Sequence, residues 1–321
     1  MKVKFERRDQ VKVFVEETLK KGVNGLVAEF KSMKRSNDFT EMTEFVANNA
    51  NGKNRYKDVG CLDHCRVVLN IGSVSYIHAN YVSTPDNSKR FICTQRFQAP
   101  PTFNMLGVLV YGCAREINSD LDALQPRRTD SNIQGVKKCA EYFPVKAGER
   151  LSFGSDVSVE CKKRYRFELP YKSKVKMVAT KLEVFIKGQP TRICNHYHWV
   201  DWPDRGVPDA DLFPVHLLDS LRSCTGPIIV HCSAGIGRTG SIVLIEHAME
   251  LLNAGKPLLE ISNYLIKLRK QRNNSVQTEH QYLYVHQVLL LYLKKSKYIG
   301  DDINPLLEKF TEEYNVATRG F

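Results

Sequence analysis

The sequence lacks the long apolar run that marks a membrane-spanning protein. None of its 321 residues belongs to a stretch approaching the roughly 18–20 apolar residues that a membrane helix needs. Its first residues, MKVKFERRDQ, carry charges where a signal peptide has an apolar segment. We therefore expect a cytoplasmic protein without a membrane span.

The sequence also lacks the cysteine pattern of a disulfide scaffold or a zinc protein. Its nine cysteines are an odd number scattered along the chain, which predicts free thiols in a reducing compartment. Cys61, His64 and Cys65 form the closest cluster, but no second ligand pair of suitable spacing accompanies them. We expect no metal and no cofactor.

Modules that bind nucleic acid are missing too, although the formal net charge is +12. No zinc-finger, homeodomain or RNA-binding signature is present, so we predict no nucleic-acid partner. The positive charge indicates either a solvated surface or an acidic partner such as a phosphoprotein. The basic stretches at 162–166 and 267–272 do not decide between these two interpretations.

Hydrophobic periodicity predicts an α/β protein with helices at both ends. Helices are expected within residues 1–48, strands within 65–82, a long loop at 117–135, and a meander of strands over 151–202. A buried strand in GPIIVHC leads to helices near 239–253, 257–271 and 277–295. Because no repeat or linker interrupts the chain, we expect one domain over residues 1–321, with a core of about 25–295 and a tail at 298–321.

The segment VHCSAGIGRTG, residues 230–240, joins the buried strand to a helix. A glycine-bearing turn that opens a helix directs backbone N–H groups and the helix dipole at one point, which favours an anion such as phosphate. The nucleotide-binding P-loop has Lys-Ser/Thr at its end, whereas this segment has Arg238, whose guanidinium matches two phosphate oxygens. Gly235 and Gly237 allow a close backbone approach.

Cys232 lies at the base of this loop. The positive environment that binds phosphate also favours a thiolate, which is an in-line nucleophile beneath a bound phosphate ester. The hydroxyl of Thr239 is suited to bind the sulfur when it leaves, and His231 is suited to hold the loop. A lone cysteine is more often a buried structural thiol, but the Cys-x5-Arg-Thr spacing favours the nucleophile.

VHCSAGIGRTG resembles, without one departure, the signature loop of the protein tyrosine phosphatases. The resemblance covers about residues 25–295 and implies a single α/β domain with a highly twisted mixed sheet flanked by helices. It also implies that the backbone of Ser233, Ala234, Gly235, Ile236 and Gly237 binds the phosphate. A Cys-x5-Arg loop alone would also suit dual-specificity, lipid or low-molecular-weight phosphatases, so other segments must decide.

WPDRGVP, residues 202–208, resembles the mobile acid loop of this family. A tyrosine phenolate is a poor leaving group and needs a proton, and the resemblance implies that Asp204 supplies it. A Pro-Asp turn without catalytic function is the alternative interpretation. Lys138 matches the family's lysine that contacts this loop from the side.

Two further segments favour tyrosine specificity and hydrolysis. KNRYKDV (53–59) resembles the phosphotyrosine-recognition loop, which implies that Tyr56 stacks on the substrate ring and Asp58 binds the substrate backbone. VQTEHQY (276–282) resembles the glutamine loop, which implies that Gln277 positions the hydrolytic water with help from Gln281. Thr278 is also suited to cap the helix that follows.

The chain departs from the family pattern in several places. Arg96 and Phe97 stand where Gly-Pro is usual, and the interval from Gln95 to Cys139 is long enough to predict an insertion near 115–135. Glu116 is our candidate for the glutamate that steadies the signature arginine. Asn274 replaces a residue that is often glycine, and its side chain is expected to narrow the pocket entrance.

These features predict a monomeric protein tyrosine phosphatase acting on phosphotyrosine-containing proteins. A pseudophosphatase that binds phosphotyrosine without cleaving it is the alternative, supported by the divergent 97–136 region. A phosphoinositide or dual-specificity enzyme is a third possibility, but SAGIG lacks the lysines of a lipid phosphatase loop. The compact basic domain resembles the tyrosine phosphatases of polydnaviruses, which act in host cytoplasm; a cellular enzyme or a receptor domain would look similar.

Overall fold

The fold was examined in a computed structural model of the protein. It describes residues 7–69, 75–96, 115–118, 141–171, 173–203 and 205–319, with the backbone alone for 115–118. The helices are α1 (Arg7–Ser32), α2 (Thr43–Ala47), α3 (Phe213–Ser220), α4 (Gly237–Asn253), α5 (Ile261–Arg269), α6 (Glu279–Lys295) and α7 (Asn304–Ala317), with 3₁₀ turns at Phe39–Glu41 and Asp301–Ile303. The strands are β1 (Arg66–Val68), β2 (Tyr76–Val82), β3 (Phe91–Thr94), β4 (Arg115–Asn118), β5 (Arg150–Phe153), β6 (Val157–Arg166), β7 (Met177–Ile186), β8 (Arg192–Trp199) and β9 (Ile228–His231).

The described strands form one mixed sheet in the order β1-β2-β3-β9-β4-β8-β7-β6-β5. The pairs β3–β9, β9–β4 and β4–β8 are parallel, and the remaining pairs are antiparallel. The strand predicted in GPIIVHC is β9, and all four of its residues are buried. A continuous apolar run is typical of such a central parallel strand, because both faces of the sheet are covered. The prediction of an α/β fold with a mixed sheet is confirmed.

The alternating segment at 151–202 forms the antiparallel strands β5 to β8, as the period-2 pattern predicts. Leu182 and Val184, on one face of β7, are almost fully buried. The loop predicted at 117–135 begins inside β4, because residues 117 and 118 pair with β8. The rest of that loop lies outside the described residues.

Two apolar clusters cover the two faces of the sheet. Ile228 and Val230 of β9 belong to the cluster shared with α1 and with α3 to α7, whereas Ile229 belongs to the cluster with β5 to β8. This alternation along one strand is what the pleat requires. The sheet is thereby held rigid at β9, the strand that leads into the predicted phosphate loop.

The chain ends contribute to the helical layer. The helices expected within residues 1–48 are present as α1 and α2, and α1 is interrupted at Gly22, where φ is +58°. The region expected as a tail contains α7, which packs on α1 and α6. Phe310 and Tyr314, four residues apart on one helix face, are buried there. The tail expectation therefore missed a packed helix.

The sequence predicted free thiols and no membrane-spanning helix, and both expectations concern the described residues. The seven cysteines in the described ranges are free thiols. In these ranges no helix combines the length and the apolar character needed to cross a bilayer.

Candidate active site

The segment 230–240, called the signature loop below, lies at the carboxyl end of the central parallel strand β9. Ligands of open α/β sheets bind at this edge. The loop leads directly into α4, whose N-terminal cap residue, Ile236, provides no side-chain hydrogen bond. The first-turn N–H groups of α4 therefore lack a side-chain cap, as an anion-binding helix terminus requires.

Gly235 lets the signature loop approach the end of β3. Its φ is +68°, and a β-carbon at this position would lie 2.1 Å from the carbonyl oxygen of Thr94. Any side chain would therefore clash with backbone as well as strain the turn. The structure thus shows a close approach of Gly235 to the β3 backbone, and its expected close approach to phosphate stays a prediction.

Arg272 supports the signature loop from beneath and was missed by the sequence analysis. It is fully buried, and its guanidinium donates to the carbonyl oxygens of Gly235 at 3.0 Å and Ala234 at 3.1 Å. Because the C=O and N–H of a peptide unit point in opposite directions, these bonds turn the N–H groups of Gly235 and Ile236 away from Arg272. The sequence interpretation took the basic stretch 267–272 only as charge, because nothing in its residue types separates Arg272 from Lys267 and Lys270, which are exposed.

Two buried side chains of β2 hold Arg272 in turn. It donates to Oδ1 of Asn80 at 2.9 Å and to Nδ1 of His78 at 3.1 Å. Nε2 of His78 lies 2.8 Å from the carbonyl oxygen of Val59, which only accepts, so His78 is neutral with its proton on Nε2. Burial, reinforced by the charge of Arg272, lowers the pKa of His78 to about 3.

His231 is anchored on the other side of the strand. Its Nε2 lies 3.2 Å from the hydroxyl of Tyr142, which lies at the same distance from Nε2 of His196 on β8. All three side chains are buried. This contact ties His231 to Tyr142, a partner outside the loop that the sequence analysis did not identify, and the expectation that His231 holds the loop stays a prediction.

A cavity of about 120 Å³ opens in front of the signature loop. Eight of the side chains selected from the sequence line it: Tyr56, Asp58, Cys232, Ser233, Ala234, Arg238, Gln277 and Gln281, together with Val59 and Arg205. Residues from four separate segments of the chain are therefore brought to one site. Gly235, Ile236, Gly237 and Thr239 belong to the loop or to α4 but do not line the cavity. Asp204 and Lys138 lie outside the described residues, and of Glu116 only the backbone is described.

The base of the cavity is formed by buried side chains and includes the positive charge of Arg238. Cys232 is 4 % exposed and Arg238 is 3 % exposed, so both reach solvent only through the cavity. Thr239 follows Arg238 and is fully buried. Among the described residues its hydroxyl has no hydrogen-bond partner, which leaves the donor free for a neighbouring acceptor.

The wall formed by Tyr56 is fixed at both ends. The Tyr56 hydroxyl lies 2.8 Å from Oγ of Ser233 in the signature loop. Gln95, just beyond β3, accepts from the N–H of Arg55 at 3.0 Å and donates to the carbonyl of Lys53 at 2.8 Å. Gln95 is a second supporting residue that the sequence analysis did not select, because a single glutamine after a strand carries no distinctive pattern.

The segment 276–282, called the glutamine segment below, caps a helix and also lines the cavity. Thr278 caps α6, and its hydroxyl accepts from the N–H of Gln281. The side-chain oxygen of Gln281 accepts from the N–H of Gln277 at 2.9 Å and from that of Thr278 at 3.3 Å. Gln281 is thus committed to the helix cap while it lines the cavity, whereas Gln277 is half-buried beside it.

The residues around Asp204 link the segment 202–208, called the acid segment below, to the glutamine segment, 276–282. Trp202 is fully buried, and its indole N–H donates to the carbonyl of Gly206 at 3.1 Å. The hydroxyl of Thr278 donates to the carbonyl of Arg205 at 3.2 Å.

The expectation for Asn274 was wrong. Its side chain is 7 % exposed and turned away from the cavity lining, because Nδ2 donates to Oδ1 of Asn37 at 3.1 Å. Asn37 also accepts from Asn273 and donates to the carbonyl of Asp58 at 2.9 Å. Asn274 therefore joins two loops at the rim and does not narrow the entrance.

The fold and site define an α/β protein with a cysteine and an arginine in the loop that joins the central strand β9 to α4. The family model described as Protein-tyrosine phosphatase matches residues 50–104 and 128–291. The chain therefore belongs to the protein-tyrosine phosphatase family. The match omits residues 105–127, which overlap the region where we predict an insertion.

Curated relatives agree with this assignment. The chain is similar to tyrosine-protein phosphatase Lar-like of Caenorhabditis elegans (32 % identity over 83 % of this chain) and receptor-type tyrosine-protein phosphatase C of Homo sapiens (31 % over 83 %). It is also similar to tyrosine-protein phosphatase non-receptor type 2 of Homo sapiens (29 % over 79 %). The chain spans 12 %, 20 % and 59 % of the lengths of these three proteins, respectively.

Proposed function

We propose that this chain is a protein tyrosine phosphatase, which hydrolyses phosphotyrosine in proteins through a cysteinyl-phosphate intermediate. The convergence of Cys232, Arg238 and Tyr56 on one cavity carries the proposal. A nucleophile and a cation at the base suit the phosphate, and an aromatic wall suits the phenyl ring. The proposal includes no metal and no cofactor.

In the first step, the Cys232 thiolate attacks phosphorus while the bond between phosphorus and the tyrosine oxygen breaks. Arg238 and the loop N–H groups of residues 233–237 stabilise the equatorial oxygens, because they are positioned before the charge develops. Asp204 donates a proton to the leaving phenolate, which is otherwise a poor leaving group. Lys138 supports the acid segment from the side.

In the second step, water displaces the sulfur from phosphorus. Gln277, beside Cys232 in the cavity lining, positions the water with help from Gln281, and Asp204 accepts the proton. The buried Thr239 hydroxyl donates to the departing sulfur, and its lack of another partner among the described residues supports this role. The S–P bond breaks as the O–P bond to water forms, so inorganic phosphate is released and the Cys232 thiolate is regenerated.

Tyr56 and Asp58 select the substrate. Tyr56, fixed to Ser233, forms one wall against which the substrate ring stacks, and Asp58 at the exposed rim accepts hydrogen bonds from the substrate backbone. The resemblance of this segment to the family's recognition loop implies a slot too deep for the shorter phosphoserine to reach Cys232. The proposal therefore includes specificity for phosphotyrosine.

The test compares hydrolysis of a phosphotyrosine peptide and a phosphoserine peptide in the presence of EDTA. Cys232→Ser is expected to lower kcat by about 10⁴-fold or more, and Asp204→Ala by about 10²- to 10⁴-fold. The matched controls are Cys224→Ser, a half-buried thiol outside the cavity lining, and Asp219→Ala, an exposed carboxylate on α3. Both controls should retain the activity of the unmodified chain.

The alternative is a pseudophosphatase, supported by the interruption of the family match at 105–127. Tight binding of the phosphotyrosine peptide with no turnover would favour that function over ours. Turnover of phosphoserine at a similar rate would favour a dual-specificity enzyme.

The wider setting of the protein is part of the same proposal. We propose one domain over residues 1–321, with a catalytic core of about 25–295, acting as a monomer in the cytoplasm without nucleic acid. The resemblance to polydnavirus phosphatases adds the prediction that this is a host cytoplasm. Sedimentation of the purified chain tests the monomer, and a stable dimer at micromolar concentration would contradict it.

A further inference from the structure

Arg205 differs from the other arginines near the candidate site in its exposure. It follows Asp204 in the acid segment, lines the cavity and is exposed to solvent. Arg238 and Arg272 are buried beneath the phosphate site. Within the described part of the chain, the Arg205 guanidinium makes no ion pair with a carboxylate.

The backbone places Arg205 at the mouth of the cavity despite a conformational cost. Its φ is +59°, a left-handed conformation that few residues other than glycine adopt. Thr278 holds the Arg205 carbonyl, and Trp202 holds the carbonyl of Gly206. Strained non-glycine residues that are held in this way are found preferentially at functional sites.

The charged side chains at the mouth of the cavity leave Arg205 available to interact with a bound substrate. Asp58 is the acidic side chain that the structure places in the cavity lining, whereas Arg238 lies at the base, where the phosphate is proposed to bind. Lys57 adjoins Asp58, is exposed and likewise makes no ion pair among the described residues. A substrate segment that carries carboxylates beside its phosphotyrosine would therefore meet unpaired positive charge at the rim.

We propose that Arg205 is a specificity-determining residue that selects phosphotyrosine segments with acidic flanking residues. The inference rests on the proposed function, because it names the substrate class of the same site. The cation at the mouth attracts flanking carboxylates and repels flanking lysines, while the phosphate is bound at the base.

The size of the effect follows from the exposure of Arg205. Exposed ion pairs in water contribute little, which corresponds to at most about a fivefold preference per charge pair. The preference should weaken as salt rises, since the Debye length falls from about 10 Å at 0.1 M to about 3 Å at 1 M. Because Lys57 adds charge at the same rim, removal of Arg205 should reduce the preference without abolishing it.

The experiment measures kcat/KM for phosphotyrosine peptides that are identical except for flanking Glu, Gln or Lys. The informative quantity is the ratio of kcat/KM for the Glu peptide to that for the Lys peptide, because a change in overall activity cancels. We expect Arg205→Lys to retain the ratio, Arg205→Gln to lower it about threefold to fivefold, and Arg205→Glu to lower it about tenfold or more. Lys295→Glu is the matched control, an exposed lysine about 24 Å along α6 from the glutamine segment.

Each outcome distinguishes the inference from the proposed function. If neither the peptides nor para-nitrophenyl phosphate are hydrolysed, the proposed function fails. If all peptides are hydrolysed but the ratio is near one, or Arg205→Gln changes every substrate equally, the inference about Arg205 is overturned. An equal fall of the ratio in Lys295→Glu would show that net charge is responsible and would also overturn it.

Discussion

The inner side of the signature loop contacts fully buried polar side chains, whereas the mouth of the cavity is lined by exposed or half-buried ones. Arg272 and His78 lie on the inner side, and His231 belongs to the loop itself; all three have almost no solvent exposure. Arg205 and Asp58 lie at the mouth and are exposed. Both regions contain charged side chains, and each region adjoins either the cavity or the signature loop.

The difference in burial between the two regions predicts where this protein tolerates substitutions. A buried carbonyl that loses its donor costs about 1–3 kcal/mol, so each contact on the inner side is required for the loop to keep its shape. An exposed ion pair contributes about 0–1 kcal/mol, so residues at the mouth alter preference without altering the fold. Three substitutions test the inner side, and the Arg205 series tests the mouth.

The largest effect is expected from Gly235→Ala. The new β-carbon would lie 2.1 Å from the carbonyl oxygen of Thr94, so the loop must move away from β3. We expect a loss of about 4 kcal/mol or more in the free energy of unfolding, measured by urea denaturation, and a fall in kcat/KM of about 10²-fold in the folded fraction.

Gly255→Ala is the matched control for this prediction. Gly255 has nearly the same φ, +67°, but nothing lies within 4 Å of its added β-carbon. Its cost should be limited to backbone strain, about 1–2 kcal/mol. Equal losses in the two variants would mean that the close approach to Thr94 is not important.

The next effect is expected from Arg272→Ala. This change removes the donors to the carbonyls of Ala234 and Gly235 and leaves both buried. We expect a loss of about 2–5 kcal/mol in unfolding free energy and a fall of about 10²-fold in kcat, because the loop N–H groups lose their orientation. Arg150→Ala, which removes an exposed pair with Glu160, should cost no more than about 1 kcal/mol. Unchanged kcat in folded Arg272→Ala would contradict the supporting role.

The smallest effect of the three concerns pH and His78. The folded-state pKa of about 3 lies below the usual value of about 6.5 for an unfolded histidine, so only the unfolded state gains this proton as pH falls below 6.5. Stability is therefore lost progressively from about pH 6.5 toward pH 3, on the order of 2 kcal/mol between pH 7 and pH 5 from this group.

His78→Asn removes this titration while its side-chain oxygen remains available to accept from Arg272. Urea denaturation at pH 7 and pH 5 should show a loss smaller by about 2 kcal/mol in the variant than in the unmodified chain. The exposed His64→Asn is the control and should leave the pH dependence unchanged. The same pH dependence in His78→Asn would mean that His78 is not the buried neutral group.

The residues that line the cavity were largely predictable. Cys232 and Arg238 belong to a short contiguous motif, and Tyr56 and Gln277 belong to two others, so their letters and spacing indicate phosphate chemistry before any fold is known. The strand before the motif was also predictable, because a continuous apolar run indicates burial on both faces.

The supporting residues were not predictable in the same way. Arg272 stands among other basic residues, Gln95 and Tyr142 stand alone, and nothing in the local sequence shows that they are buried. Asn274 was expected at the entrance and instead bonds to Asn37, which lies more than 200 residues away in the chain. The helix α7 was missed because Phe310 and Tyr314 are only two of several apolar residues in a charged segment. They are buried because α1 and α6 provide the surface on which α7 packs.

The sequence by itself determined the elements of the proposed chemistry: Cys232 as candidate nucleophile, Arg238 as candidate phosphate ligand, and the strand–loop–helix order around them. These features depend on residues that are neighbours in the chain, so local backbone geometry is enough to bring them together. The tertiary structure alone decided which polar side chains lie beneath the loop and which remain at the mouth. Burial is a property of packing between distant segments, and it places Arg272 beneath the loop and leaves Arg205 exposed at the mouth of the cavity.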